Sequence, residues 1–262
     1  MSTSNTGHAA DAQPPTYPTL EELRSNLLPV AKSINGADRI AWVLDGPLTT
    51  AISVLKDSHS PESLVEPYFL QQTADGGGTW HPVSQLPVSE PKVSSITVQV
   101  SELEMWEGEW MASYRKETDP DVSYGPGSGV RYGALDDYDP DWDSDRSVHL
   151  LECCGQPRPR KKRSKITVKP AASGSGFVTV HDYLSTVHPW LMGLRGDIQN
   201  ARSVGEDEPP STDIMVNFNT LYSLMMSDKA TWIKDQSYVF DPNLRAAYET
   251  REWPEFGPAN KD

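Results

Sequence analysis

The stretch Phe177–Leu194, FVTVHDYLSTVHPWLMGL, decides the fold because an extended run passes in it directly into an amphipathic helix. Thr179 and Asp182 have the spacing of an N-terminal capping box, in which each side chain accepts a hydrogen bond from the other residue's backbone. Between Val180 and Leu194, apolar residues recur every three or four positions. This period predicts a helix that buries one apolar stripe.

The end of this helix is predicted from three residues. Pro189 removes a backbone donor, so we expect it to bend or break the helix, and Gly193 and Gly196 are typical of a helix end. His181 and His188 share a helical face but lie two turns, roughly 10 Å, apart. That distance is too long for one metal ion, so we interpret both as partly exposed residues of the helix surface.

Strand-like patterns flank this helix on both sides. Ser95–Val100 alternates apolar and polar residues, and Met105–Tyr114 is expected to be a second strand with Trp106 and Trp110 on one face. Such a pair is explained by core packing or by a ligand that stacks on the rings. Other short strands are predicted at residues 40–44, 51–55, 148–153 and 214–218, with a hairpin at 68–83. The predicted fold class is α+β, a mainly antiparallel β-sheet with one packed amphipathic helix and long disordered insertions.

Composition indicates one folded unit with much irregular chain. The 262 residues include 22 prolines and 18 glycines, and only 37% are hydrophobic. We expect a single β-rich domain at 18–251 between disordered tails at 1–17 and 252–262. Disordered insertions are predicted near residues 117–147, 155–176 and 202–212.

Net charge restricts the partners. The chain carries a formal charge of −14 and has an isoelectric point near 4.8, so binding to nucleic acid is not expected. It has no signal-like segment and no long apolar run, and its two cysteines are adjacent. We therefore expect an intracellular protein, nuclear or cytoplasmic, that does not enter a membrane.

A short basic run is the sharpest functional signal. Its cations are Arg158, Arg160, Lys161, Lys162, Arg163 and Lys165. A segment of this kind is typical of nuclear import signals, which makes an import receptor a candidate partner. The alternatives are pairing with the acidic run Asp136–Asp145 inside the molecule and, less favoured, contact with nucleic acid.

Three segments together resemble a group of fungal proteins of unknown function. They are SITVQVSELEMWEGEWMASY at 95–114, FVTVHDYLSTVHPWL at 177–191 and TLYSLMMSDKATW at 220–232. The resemblance implies a fungal origin and a small antiparallel sheet with a packed helix. It implies no activity, and His181 interrupts the valine–aspartate pair of the family pattern.

We expect a non-enzymatic protein-interaction module. One alternative is a binding protein for a small apolar or aromatic ligand held by Trp106, Trp110 and Trp190, and another is an enzyme of unrecognised type. No catalytic residue, cofactor site or metal site is identified. Asp139, Asp141 and Asp143 match the start of a calcium loop, but its glycine and its final glutamate are missing.

Overall fold

The computed structural model describes residues 16–58, 65–71, 77–114, 129–141, 143–144, 147–160, 164–172, 174–205 and 213–237. The helices in these ranges are α1 (Leu20–Ser25), α2 (Leu48–Ala51), α3 (Ser101–Ser113), α4 (Val180–Arg202) and α5 (Lys229–Ser237), with 3₁₀ turns at Ala37–Arg39 and Pro82–Gln85. The strands are β1 (Ala31–Lys32), β2 (Ile40–Trp42), β3 (Ile52–Leu55), β4 (Val65–Pro67), β5 (Phe69–Gln71), β6 (Gly78–Trp80), β7 (Ser89–Glu90), β8 (Ile96–Val100), β9 (Arg131–Gly133), β10 (His149–Cys153), β11 (Gln156–Pro157), β12 (Lys165–Val168), β13 (Ile214–Thr220) and β14 (Ser223–Asp228).

The central sheet has the strand order β12–β8–β14–β13, and all its pairs are antiparallel except β8 with β14. A second antiparallel sheet, β2–β3–β4, adjoins it. Val43 bridges to Met215, and the backbone N–H of Leu44 donates to the Ile214 carbonyl at 2.7 Å. Because β13 is covered in this way, β12 lies at one edge of the combined surface, and no strand in the described ranges pairs with its outer side. The remaining strands form β9–β10–β11, β5–β6 and β1–β7, so the fold is α+β with mostly antiparallel sheets.

Helix α4 covers one face of the central sheet and carries the main hydrophobic core. Thr179 and Asp182 form the predicted capping box, with the Thr179 hydroxyl accepting from the Asp182 N–H at 3.1 Å. The predicted stripe is buried, and Leu184 and Leu191 are at most 1% exposed. On the other face, α5 adds Trp232 to a smaller cluster with Met215. The packed amphipathic helix is therefore confirmed.

The prediction that α4 stops at its glycines was wrong. The helix contains Pro189 and continues past Gly193 and Gly196 to Arg202. Pro189 is exposed, and Ile198, beyond both glycines, is completely buried. Tertiary packing of this last part outweighs the weak helix propensity of glycine, which costs about 1 kcal/mol per residue.

The strand predicted at Met105–Tyr114 is also wrong, because these residues belong to α3 apart from Tyr114, its C-cap. Trp106 and Trp110 are four residues apart, a spacing that puts two side chains on one face of a helix as well as on one face of a strand. The sequence MWEGEWMASY therefore fits both periods. The helical form prevails since α3 packs against α4 and β14 and, through Trp110, against β10.

Two predicted disordered insertions contain ordered strands. β9 lies inside 117–147, and β11 and β12 lie inside 155–176. These strands are short, and strand pairing with distant segments supplies the backbone hydrogen bonds that composition does not reveal. Most of the predicted tail at 1–17, the whole tail at 252–262 and most of the insertion at 202–212 lie outside the described residues.

Candidate functional site

The basic segment starts on a hairpin that sequence analysis missed. β10 and β11 are joined by Cys154 and Gly155, whose φ angles of 54° and 76° are the positive values that a type I′ turn requires. The N–H of Arg158 donates to the Leu151 carbonyl at 2.8 Å and extends the pairing. The hairpin thereby delivers Arg158 and Arg160 to the side of α3.

Both arginines are bound by carboxylates of the same chain. Arg158 Nε and Arg160 Nη1 each donate to Glu107 Oε1 at 2.6 Å. Arg160 also donates through Nη1 and Nη2 to the two oxygens of Asp143, at 3.0 and 2.8 Å. Asp137 accepts from Arg160 Nε at 2.8 Å. We call this group of five residues the arginine clamp.

The arginine clamp is shielded from solvent at its centre. The side chain of Asp143 is 2% exposed and that of Arg158 is 10% exposed. Hydrogen bonding to Arg160 lowers the pKa of the Asp143 carboxyl to about 2, and the same bond raises the pKa of Arg160. Pairing within the molecule, one of the alternatives left open by the sequence, is thus realised for Arg158 and Arg160.

Close to Glu107 of the arginine clamp, a small apolar cluster joins α3 to β10. Trp110, one turn after Glu107 on α3, packs against Leu150 and Cys153 of β10. Trp110 is 3% exposed and Cys153 is completely buried. The clamp and this cluster together fix the β10–β11 hairpin on α3, so the start of the basic segment has a defined position.

The remaining cations divide into two groups. Lys161, Lys162 and Arg163 lie outside the described residues. Lys165 is the first residue of β12, and its side chain is exposed. The basic segment therefore begins in the arginine clamp, at Arg158 and Arg160, and ends at Lys165 in the edge strand β12.

The three tryptophans proposed as ligand contacts do not share one cluster. Trp106 and Trp190 are half-buried and pack against the main core. Trp110 belongs to the separate cluster with Leu150 and Cys153. Core packing accounts for their positions, and the aromatic surface on which the ligand-binding alternative depended is not assembled by these residues.

His188 is a core residue, which corrects the interpretation of it as partly exposed. It is 2% exposed and lies between Trp42 and Gly46. Because Trp42 Nε1 donates to Nδ1 at 3.0 Å, the imidazole proton is on Nε2, which donates to the Gly46 carbonyl at 2.9 Å. Both ring nitrogens are therefore used: Nδ1 holds α4 to Trp42 of β2, and Nε2 holds it to Gly46 in the turn that follows.

His181 is half-buried in an aromatic cluster that the sequence did not indicate. Its Nδ1 lies 3.2 Å from the Tyr68 hydroxyl, and its ring centroid lies 4.6 Å from that of Trp80. Burial lowers the pKa of His181 and raises that of Tyr68, so both are neutral near pH 7. The only signal available was the aromatic content of the β5–β6 hairpin, because the fold brings His181 to it from a distant part of the chain.

The described residues were also compared with what a metal site and a membrane-spanning helix require. Within the described ranges, no group of three His, Cys, Asp or Glu side chains is arranged to hold a metal ion. Asp143, which matched a calcium-loop position, instead accepts hydrogen bonds from Arg160 within the arginine clamp. Among the helices that the structure describes, none is long and apolar enough to cross a bilayer.

Comparison with known proteins found no matching family model, curated protein or solved structure. The resemblance to fungal proteins of unknown function therefore stays a prediction that rests on the three sequence segments.

Proposed function

We propose that this chain is a non-enzymatic protein-interaction module that binds an acidic, extended segment of a partner protein along β12. The observation that carries the proposal is the arginine clamp, which fixes Arg160 five residues before the start of β12, the edge strand of the central sheet. An exposed sheet edge offers unpaired backbone groups, and an incoming strand satisfies them by β-augmentation.

The register of β12 defines which backbone groups face outward. Gln99 donates its N–H to the Tyr222 carbonyl at 3.0 Å, so its backbone groups point toward β14 and away from β12. Gln99 is paired with Lys165, and Thr97 with Thr167. In an antiparallel pair, the N–H and C=O groups of Lys165 and Thr167 therefore point away from β8, toward a partner strand.

Charge selects the kind of partner. Lys165 and Lys169 are both exposed, at the start of β12 and just after its end. In the sequence, three further cations at 161–163 precede the strand, separated from it by Ser164. A second copy of this edge would bring like charges together, which opposes self-association. An acidic strand gains attraction at the same positions, although the rest of the molecule is acidic.

The decisive substitution is Thr167→Pro, since proline removes an outward N–H without removing a bond to β8. We expect a fluorescein-labelled peptide that alternates Glu and Val to bind the wild type, with at least roughly tenfold weaker binding to Thr167→Pro. Fluorescence anisotropy measures both affinities. Thr167→Val keeps the N–H and should bind like wild type.

The charge part of the proposal has its own control. Replacing Glu by Lys throughout the peptide should abolish binding, and so should the double change Lys165→Glu with Lys169→Glu. Equal affinity of the wild type for the acidic and basic peptides, or unchanged affinity of Thr167→Pro, would overturn the proposal.

We propose in addition that the same segment directs the protein to the nucleus. With Arg158 and Arg160 engaged in the arginine clamp, the cations left for the acidic groove of an import receptor are Lys161, Lys162, Arg163 and Lys165. A fluorescent fusion should accumulate in the nucleus and lose this when residues 161–163 become alanine. A cytoplasmic wild-type fusion, or nuclear accumulation of the alanine variant, contradicts the proposal.

A further inference from the structure

A pocket of about 190 Å³ opens on the opposite side of β8 from β12. One wall comes from α1, through Leu20 and Arg24, and a second from Val30 to Lys32. The third wall is the turn that joins β13 to β14, residues 219–222. This pocket shares no residue with the arginine clamp or with β12, so its ligand is independent of the proposed function.

Hydrogen bonds from neighbouring elements hold the third wall, the turn at residues 219–222, in place. The buried Tyr183 of α4 donates its hydroxyl proton to the Leu221 carbonyl at 2.7 Å. Within the turn, the Thr220 hydroxyl donates to the Ser223 carbonyl at 2.7 Å, and Tyr222 accepts from the Gln99 N–H at 3.0 Å. A wall positioned by three elements is preorganised for a ligand.

The lining is cationic in a strongly acidic protein. The chain has 37 acidic and 23 basic residues, yet the pocket is lined by Arg24 and Lys32 and by no carboxylate. Lys32 is paired with Asp38, with 3.1 Å between Nζ and Oδ1. Arg24 has no ion-pair partner among the residues that the structure describes.

The position of Arg24 leaves its donors available. Its guanidinium carbon lies 3.6 Å from the centroid of the Tyr222 ring, so the face of the guanidinium is used in the cation–π contact. The N–H donors of a guanidinium point outward in its plane, in a fork that matches a carboxylate. Asn219 lines the same pocket.

Size and polarity together define the ligand. A protein cavity of about 150 Å³ accommodates benzene, so this pocket has room for a single ring with a carboxylate. Leu20 and Val30 supply an apolar wall for the ring, and Arg24 is placed for the carboxylate. We infer that the pocket binds a small carboxylate with an apolar body, either a free organic acid or the C-terminal residue of a peptide.

Benzoate is a suitable probe because two molecules of similar shape serve as controls. Benzamide is neutral, and benzamidine carries a positive charge in place of the negative one. In a ¹⁵N-labelled sample we expect benzoate to shift the amide resonances of Lys32 and residues 219–222 with saturation and a Kd of about 1 mM or lower. Benzamide should bind roughly tenfold more weakly, and benzamidine should not bind.

Arg24→Gln should weaken benzoate binding at least roughly tenfold. Arg24 is exposed, so the variant is expected to fold, which its amide spectrum verifies directly. Arg131→Gln, which changes an exposed arginine paired with Glu152 elsewhere, is the matched control and should bind benzoate normally.

The source of the carboxylate is resolved by titrating the tripeptide Ala-Ala-Phe with a free C-terminus. Tighter binding of the tripeptide assigns the pocket to a chain terminus, and tighter binding of benzoate assigns it to a free acid; either result supports the carboxylate site. Equal affinity for benzoate and benzamide, no saturable shift at residues 219–222, or unchanged binding in Arg24→Gln overturns the inference.

Discussion

At the scale of single residues, the buried ion pairs explain the position of the basic segment better than its composition does. A carboxylate that is 2% exposed is stable only if its charge is compensated, and Asp143 receives hydrogen bonds from both arginines. Removing either partner leaves a buried charge without compensation. Asp143 is therefore the residue on which the arginine clamp depends.

The low pKa of Asp143 gives a pH prediction. A carboxyl whose folded pKa of about 2 lies below its unfolded value of about 3.9 stabilises the fold above the unfolded value. This stabilisation is fully present at pH 7 and is lost as pH falls toward 2. We expect Asp143→Asn to reduce the free energy of unfolding at pH 7 by about 1–3 kcal/mol, measured with urea.

The same variant should flatten the acid limb of the stability curve between about pH 4 and pH 2. Asp141→Asn, on an exposed neighbour, serves as the control and should leave that limb unchanged. An acid limb of normal steepness in Asp143→Asn would show that the clamp carboxylate does not titrate as described.

At the scale of elements, α4 holds the fold together despite residues that disfavour it. Its sequence includes one proline and two glycines, which the helix tolerates because Ile198 and Ala201 are buried beyond them. Helix stability in proteins comes mainly from packing of the apolar face rather than from propensity. The two glycines therefore make no favourable contribution to the stability of α4.

A stabilising substitution follows from this. A Cβ atom added at Gly193 would meet no atom within 4 Å. Gly193→Ala should raise the free energy of unfolding by about 0.5–1 kcal/mol, measured by thermal or urea denaturation.

The contrasting case is Gly155 in the β10–β11 turn. It also has open space around it, but its φ of 76° is a conformation that alanine rarely adopts. Gly155→Ala should lower the free energy of unfolding. If Gly193→Ala also lowered the free energy of unfolding, the assignment of Gly193 to an uncrowded position inside the helix would be wrong.

At the scale of the whole molecule, one hydrophobic cluster connects α1, the two adjoining sheets and α4. Leu184 lies near its middle and is 1% exposed. Replacing it with Asp removes its packing and buries a polar carboxyl, a cost comparable with the roughly 5–15 kcal/mol by which a domain is usually stable. We expect Leu184→Asp to lose near-ultraviolet circular dichroism and to have no cooperative urea transition.

His181→Ala on the same helix is the comparison, because His181 is only half-buried and lies at the margin of this cluster. It should keep a cooperative transition with a modest loss of stability. A native-like spectrum for Leu184→Asp would contradict the single shared core.

The sequence by itself determined the local features that depend on neighbouring residues. These include the capping box at Thr179, the buried stripe of α4 and the alternation of β8. Each depends on side chains a few positions apart, which a periodic pattern specifies completely. The α+β class and the packed helix followed from the same patterns.

Only the tertiary structure decided where α4 ends, that α3 is a helix, and which charges face each other. The residues of the arginine clamp come from three separate segments, and the pocket beside α1 is lined by two segments about 190 residues apart. Contacts of this kind depend on how packed elements meet, which local sequence does not specify. Burial then decides the outcome for each charge: the buried Asp143 requires a partner within the molecule, whereas the exposed Arg24 does not.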